Sequence, residues 1–181
     1  MAGVMWEGGG GFGLTCGGKW SRVGLCGRRR DGSRRGVFLG EYEHSLDEKG
    51  RLVLPRKFRD VLAEQPCVIT KGQEDCLYVF AMEQFQEEVA KLRTIPRTVR
   101  QGRKYVRSFG ASALDQAPDR QGRIQIPERL REYANLGKDV VVVGALDRIE
   151  IWSTEAWSAE AAEADEYYSA IEEALVADGD I

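Results

Sequence analysis

The residues Asp47-Glu48-Lys49-Gly50-Arg51-Leu52-Val53-Leu54-Pro55 return 72 positions later as Asp119-Arg120-Gln121-Gly122-Arg123-Ile124-Gln125-Ile126-Pro127, with Asp, Gly, Arg and Pro in register. Asp47 and Asp119 would form a carboxylate pair for acid/base work if the two copies faced each other. The arginine four positions after each Asp argues against that, because a fixed guanidinium lowers a carboxylate pKa and suits an ion pair better than a general acid. No nucleophile, metal set or phosphate-cradling glycine loop accompanies them, so no enzyme is expected. A second chemistry fits the arginines. Gly50 and Gly122 let their loops approach a phosphate backbone closely, Arg51 and Arg123 grip phosphate or guanine edges through a planar fork, and Lys49 and Arg120 add positive charge. The same residues also admit a purely architectural reading, in which Asp and Arg pair across a turn, Gly supplies its conformation and Pro starts a helix. That reading explains Asp, Gly and Pro well and Arg less completely.

The elements that must position these loops repeat with them. After the first motif, Phe58, Val61 and Leu62 share one helical face. The runs Pro66–Thr70 and Leu77–Phe80 flank the polar turn Lys71–Asp75 as a hairpin, and Met82, Phe85, Val89 and Leu92 define a further helix. Pro55 is placed to be the first residue of the short helix, and Leu52-Val53-Leu54 suits a buried strand. At the constant offset of 72, Leu130 replaces Phe58, Arg131 replaces Arg59, Val140–Val142 replaces Val68–Thr70, Ile149–Trp152 replaces Leu77–Phe80 and Trp157 replaces Phe85. An ungapped register over so many positions is a duplication, and Ser153 is an N-cap for the last helix. Two copies are too few for a solenoid, so the halves are expected to pack as one pseudo-symmetric domain.

Composition sets the outer bounds. A chain of 181 residues with 43% hydrophobic side chains can fill a core, and no apolar run approaches the roughly 20 residues of a membrane span, so a soluble cytoplasmic protein is expected. Cys16, Cys26, Cys67 and Cys76 lack Cys-x-x-Cys spacing and His44 is the single histidine. Neither a zinc site nor a disulfide framework is expected. The net charge of -3 conceals segregation: residues 155 to 181 carry nine acids and no base, whereas residues 91 to 107 carry seven bases and no acid. Residues 1 to 36, glycine-rich and ending in an arginine cluster, show no period and read as a disordered or mis-assigned extension, with translation beginning at Val37.

Phe38-Leu39-Gly40-Glu41-Tyr42, the two Asp-x-x-x-Arg loops and Gly50-Arg51-Leu52-Val53-Leu54-Pro55-Arg56-Lys57-Phe58-Arg59 together resemble the MraZ family of transcriptional regulators, built on the AbrB type of swapped-hairpin DNA-binding fold. The resemblance covers about residues 37 to 157. It implies an α+β fold of two tandem βαβ-type repeats interleaved into a pseudo-symmetric swapped-hairpin barrel with flanking helices. The expected divisions are an extension over 1–36, a first repeat with a basic linker helix over 37–109, a second repeat over 110–157 and an acidic helix and tail over 158–181. It further implies a ring-shaped homo-oligomer at the nucleoid that binds short direct repeats of double-stranded DNA at the promoter of its own division and cell-wall gene cluster. No cofactor, metal, membrane or small-molecule substrate is implied. Carried onto this chain, the contacts fall on Arg51 and Arg123, helped by Lys49 and Arg120, with Asp47, Gly50, Asp119 and Gly122 shaping the loops. The residues themselves leave open a structural or protein-interaction module whose Asp–Arg pairs only pin turns or join subunits.

Overall fold

The computed structural model describes residues 36–62 and 65–178, with side chains through residue 168. The readings made of residues 1 to 35, including the disordered or mis-assigned extension, lie outside the described residues.

Each half of the chain repeats one series of elements. The first contains β1 (Phe38–Ser45), β2 (Arg51–Val53), α1 (Arg56–Leu62), the hairpin β3 (Cys67–Lys71) and β4 (Leu77–Ala81), and α2 (Met82–Arg93). Helix α3 (Arg100–Ser112) follows, and then β5 (Leu114–Gln116), β6 (Arg123–Gln125), α4 (Glu128–Tyr133), the hairpin β7 (Asp139–Leu146) and β8 (Ile149–Ser153), and α5 (Thr154–Asp178). The β-branched runs Val68-Ile69-Thr70 and Val140–Val143 form strands as expected, since stiff side chains pack well on a pleated surface. Ser153 caps α5, its Oγ accepting from the Ala156 N–H at 3.2 Å.

The prolines take a different place from the one expected. Helix α1 begins at Arg56, and the Pro55 carbonyl accepts from Phe58 and Arg59 N–H at 3.0 and 3.1 Å. Pro127 does the same for Leu130 and Arg131. Each proline is therefore the capping residue just outside the helix, its extended backbone (φ -58°, ψ 147° at Pro127) turning strand into helix. Val53 also departs from the buried strand expected of it. It is 40% exposed while Leu52 and Leu54 are fully buried, because alternate residues of a strand face opposite ways.

Strand pairing makes the fold, and it crosses between the repeats. β1 of the first half pairs antiparallel with β7 of the second over eight positions, and β5 of the second half pairs with β3 of the first. The two hairpins meet at β4 and β8, giving a six-stranded sheet in the order β1-β7-β8-β4-β3-β5. β2 and β6 form a separate two-stranded ladder. Two sequence expectations are corrected here. All the pairings are antiparallel, so no parallel βαβ crossover occurs among the described residues; helices α1 and α4 instead connect the ladder to the large sheet. The large sheet is also open, with β1 and β5 at its ends, so the strands do not close into a barrel.

One core unites the halves. Phe38, Leu52, Leu54, Phe58 and Leu62 pack with Ile124, Ile126, Leu130, Val142, Ile149 and Ile151, all nearly or fully inaccessible. A second cluster, Phe80, Leu92 and Phe109, seats α2 and α3 on the sheet. There the buried Thr70 hydroxyl donates to the Phe109 carbonyl at 3.0 Å and lies 2.8 Å from Ser112 Oγ, so both buried hydroxyls are paired. The β1–β7 pairing depends on Gly144, opposite Gly40, where an added Cβ would collide with the Phe38 and Leu39 backbone. Gly144→Ala is expected to cost roughly 1–3 kcal/mol by forcing those strands apart, measurable as a lower midpoint in urea unfolding.

Candidate nucleic-acid interface

The two Asp-x-x-x-Arg segments fold into the same loop. In the first, Asp47 Oδ1 accepts from the backbone N–H of Lys49 and Arg51, each at 2.9 Å, while Oδ2 accepts from Arg51 Nε at 2.7 Å. Backbone bonds close it, from Gly50 N–H to the Asp47 carbonyl and from Asp47 N–H to the Arg51 carbonyl. In the second, Asp119 Oδ1 accepts from Gln121 and Arg123 N–H at 2.8 and 3.0 Å, and Oδ2 contacts Arg123 Nε and Nη2 at 2.8 and 2.7 Å. Gly50 and Gly122 sit at φ +70° and +74°, a left-handed conformation that other residues resist. The carboxylate thus shapes the loop with one oxygen and orients the arginine with the other.

Both arginines remain partly accessible, with side-chain exposures of 31% and 23%. Asp takes the Nε side of each guanidinium, so the planar fork is fixed in direction while its opposite edge points away from the carboxylate. The hydrogen bonds from Arg51, backbone first, hold the Asp47 pKa below its ordinary value. Those from Arg123, again backbone first, push Asp119 down to about 2. A general acid would need the opposite shift. For a carboxylate depressed in the folded state, the contribution to stability is complete above its ordinary value of 3.8 and disappears as pH falls through about 2. The second loop should therefore stay intact from neutral pH to about 4. The Asp119 carboxyl carbon, followed by NMR, should titrate near 2, and a midpoint near 4 would show that the ion pair does not persist.

The ladder brings the two loops together. Leu52 pairs with Ile124 at its centre, and the flanking bonds are reciprocal: Leu54 N–H donates to the Gly122 carbonyl at 3.0 Å and Ile126 N–H to the Gly50 carbonyl at 2.9 Å. Gln125 Nε2 reaches the Lys49 carbonyl at 2.6 Å, and the Gln116 side chain bonds both backbone groups of Gln125. All eight residues singled out from the sequence thus lie on two adjoining tips. Lys49 and Arg120 are exposed, on the first and second tip respectively.

The structure adds Arg59 and Arg131, equivalent at the offset of 72, which lie across the tips from the opposite repeat. Arg59 presses on Gly122 and Arg131 on Gly50, so closely that a Cβ on either glycine would strike the guanidinium chain. The Nε of both is buried with no protein hydrogen-bond partner. Their register was visible in the duplication, but a helical arginine four residues past its capping proline carries no local sign that it packs on a loop of the other half. Cys67 and Cys76 take no part. Both are buried, and burial raises the Cys67 thiol to about 11 and Cys76 further, leaving neither as a nucleophile.

Comparison with known proteins matches both repeats. The model of the MraZ family, described as an antitoxin-like protein, matches residues 37–107 and again 109–178. A protein of Salinispora tropica named Transcriptional regulator MraZ is 51% identical over 140 residues, spanning 77% of this chain and 98% of that protein. Proteins of the same name from Micrococcus luteus and Moorella thermoacetica are 47% and 46% identical over 137 and 140 residues, covering 95% and 97% of their own lengths. With both repeats matched and relatives near half identity along almost their whole length, the chain belongs to the MraZ family.

Proposed function

We propose that this protein is a DNA-binding transcriptional regulator whose two arginine tips contact a double helix, acting on the promoter of its own division and cell-wall gene cluster. The observation that carries the reading is the pair of loops joined by the β2–β6 ladder, each presenting an arginine fixed by an aspartate. Arg51 and Arg123 are assigned the direct contacts, Lys49 and Arg120 a supporting role, and Asp47, Gly50, Asp119 and Gly122 the shaping of the loops. The names of the relatives support regulation of transcription. The chemistry requires no cofactor or metal and includes no catalytic step.

The protein is further proposed to act at the nucleoid as a ring-shaped homo-oligomer on short direct repeats. Two arginines and their neighbours form a small positive contact, so several subunits presenting tips to repeated sites would convert modest contacts into avidity. The end of the large sheet at β1 supports self-association: it is an eight-residue edge strand with Leu39 58% exposed beside Leu146, 64% exposed.

Fluorescence anisotropy with the DNA immediately upstream of the protein's own coding sequence tests the reading, against a shuffled duplex of equal length. At least about a tenfold preference for the upstream duplex is expected, with binding weakening steeply as salt rises. Equal affinity for both duplexes would contradict it. Mass measurement on the same samples should give a multiple of the 20.2 kDa chain, and a monomer that binds as tightly would remove the ring.

A further inference from the structure

The two tips differ in what surrounds them. A cleft of about 740 Å³ opens beside the second tip, lined by Arg56 and Arg59 of α1 together with Asp119, Arg120 and Gly122 of the loop, with Asp60 and Pro118 completing its wall. Asp119 is already held by Arg123. Three arginines therefore face the cleft against one further carboxylate, Asp60. The offset of 72 gives the matching set beside the first tip: Glu128 for Arg56, Arg131 for Arg59, Glu132 for Asp60 and Glu48 for Arg120. There one arginine stands among three carboxylates beyond the paired Asp47. The backbone is duplicated while the charge is reversed at two exposed positions, Arg56 against Glu128 and Arg120 against Glu48. Lys49, at the end of the first loop where the second has Gln121, offsets only part of that difference.

We infer that the cleft formed by Arg56, Arg59 and Arg120 binds a phosphate of the DNA backbone next to the second tip, and that the first tip has no equivalent phosphate site. This deepens the proposed function and rests on it. A phosphate presents tetrahedral oxygens to guanidinium forks, which grip it by charge-assisted hydrogen bonds. Arg59 is held from behind, its Nε buried and its Nη1 within 3.4 Å of the Gln121 carbonyl, so it is a positioned cation rather than a freely sweeping one. Arg56 and Arg120 converge on the same opening from helix and loop. At the first tip, Glu48 and Glu128 repel a phosphate in the equivalent place. Each chain consequently meets the duplex with a polarity that its near-symmetric backbone lacks: one anchored tip and one unanchored. A phosphate contact fixes register and adds affinity without reading sequence, which leaves base recognition to Arg51 and Arg123.

The test is a salt series on the full chain with the upstream and shuffled duplexes. Arg56→Gln/Arg120→Gln should weaken binding to both duplexes by about tenfold or more, flatten the dependence of log affinity on log salt by about 1, and leave the preference between duplexes unchanged. Glu48→Gln/Glu128→Gln, the mirror change, should leave the slope unaltered and slightly raise affinity. Should the double arginine variant not fold, Arg120→Gln alone, at an exposed turn position, should flatten the slope in the same direction by up to about 1. Wild-type slope and affinity in the arginine variants would overturn the inference. So would equal slope changes in the two mirror variants, or loss of sequence preference along with affinity. Titration with inorganic phosphate, followed by NMR, separates the sources of the anion: a saturable free-phosphate site, together with an unchanged DNA slope in the arginine variants, would reassign the cleft to small anions and overturn the inference. If Arg51→Ala/Arg123→Ala abolishes the preference while Arg56→Gln/Arg120→Gln changes nothing, only the phosphate site falls. If the wild type binds neither duplex, the proposed function falls with it.

Discussion

Arg51→Ala/Arg123→Ala is expected to lower affinity for the upstream duplex at least about thirtyfold while leaving the protein folded and its assembly intact. A well-formed guanidinium contact to a base edge contributes roughly 1–3 kcal/mol, so two per chain account for roughly 2–6 kcal/mol, at about tenfold per 1.4 kcal/mol. Folding should hardly register the loss. The Asp–Arg pairs are solvent-accessible, so water and salt screen them and the fold depends little on them. The loops also keep their backbone bonds and the glycines at positive φ. Two further variants separate charge from geometry. Arg51→Lys/Arg123→Lys keeps the positive charges and loses the fork, so its salt slope should stay near wild type while its preference for the upstream duplex declines. Asp47→Asn/Asp119→Asn retains an acceptor for the loop N–H groups and releases the guanidinium, so its loss should be smaller than that of the alanine variant. Electrophoretic mobility shift and thermal melting on the same preparations decide the matter. Unchanged binding by the alanine variant would return the Asp–Arg pairs to the architectural role that their sequence also allowed.

The loops were legible because their constraints are local. Asp two and four residues before the N–H groups it accepts, Gly at the left-handed position and Arg returning to the same Asp form a pattern complete within five residues. The duplication was equally plain, since an offset of 72 without gaps needs no structure to be seen. Partner choice between strands was not local and could not be read. Nothing in Phe38–Ser45 says that it pairs with Asp139–Leu146 rather than with its own hairpin, because in a duplicated chain both hairpins offer similar edges. The short β5, Leu114-Asp115-Gln116, carries no alternation to announce a strand and is defined by the β3 edge it covers. The barrel expectation failed at the same level: closure is decided by whether the end strands meet, which no single segment encodes. Within the site, Arg59 and Arg131 went unassigned because what gives them their place, the opposite repeat's glycine, lies 63 and 81 residues away in sequence, respectively.

Cross-repeat dependence makes Ile124→Ala the most informative change in the core. Ile124 is fully buried and pairs with Leu52, its own equivalent at the offset of 72, so the pair marks the pseudo-twofold centre of the β2–β6 ladder. Truncation removes buried methyl and methylene groups and leaves a cavity, at a cost of roughly 2–5 kcal/mol. For a chain of this size that lowers the melting temperature by roughly 4–20 °C. Stability loss alone would not single out this position, because Phe109→Ala in the second cluster should destabilise to a comparable degree, roughly 3–5 kcal/mol. The distinction lies in binding measured well below either melting temperature. The ladder has three pairs, and both flanking bonds, Leu54 to Gly122 and Ile126 to Gly50, hang on it, so a void at its centre loosens the angle between the tips. DNA affinity should therefore fall in folded Ile124→Ala and persist in folded Phe109→Ala. Ile124→Val, which deletes a single methylene and costs roughly 0.5–1.5 kcal/mol, should lie between wild type and alanine in both stability and binding. Equal DNA affinity in folded Ile124→Ala and Phe109→Ala would mean that each tip acts by itself. A selective loss would mean that the ladder, by fixing the angle between two arginines from different repeats, is part of the recognition surface although neither of its central side chains reaches solvent.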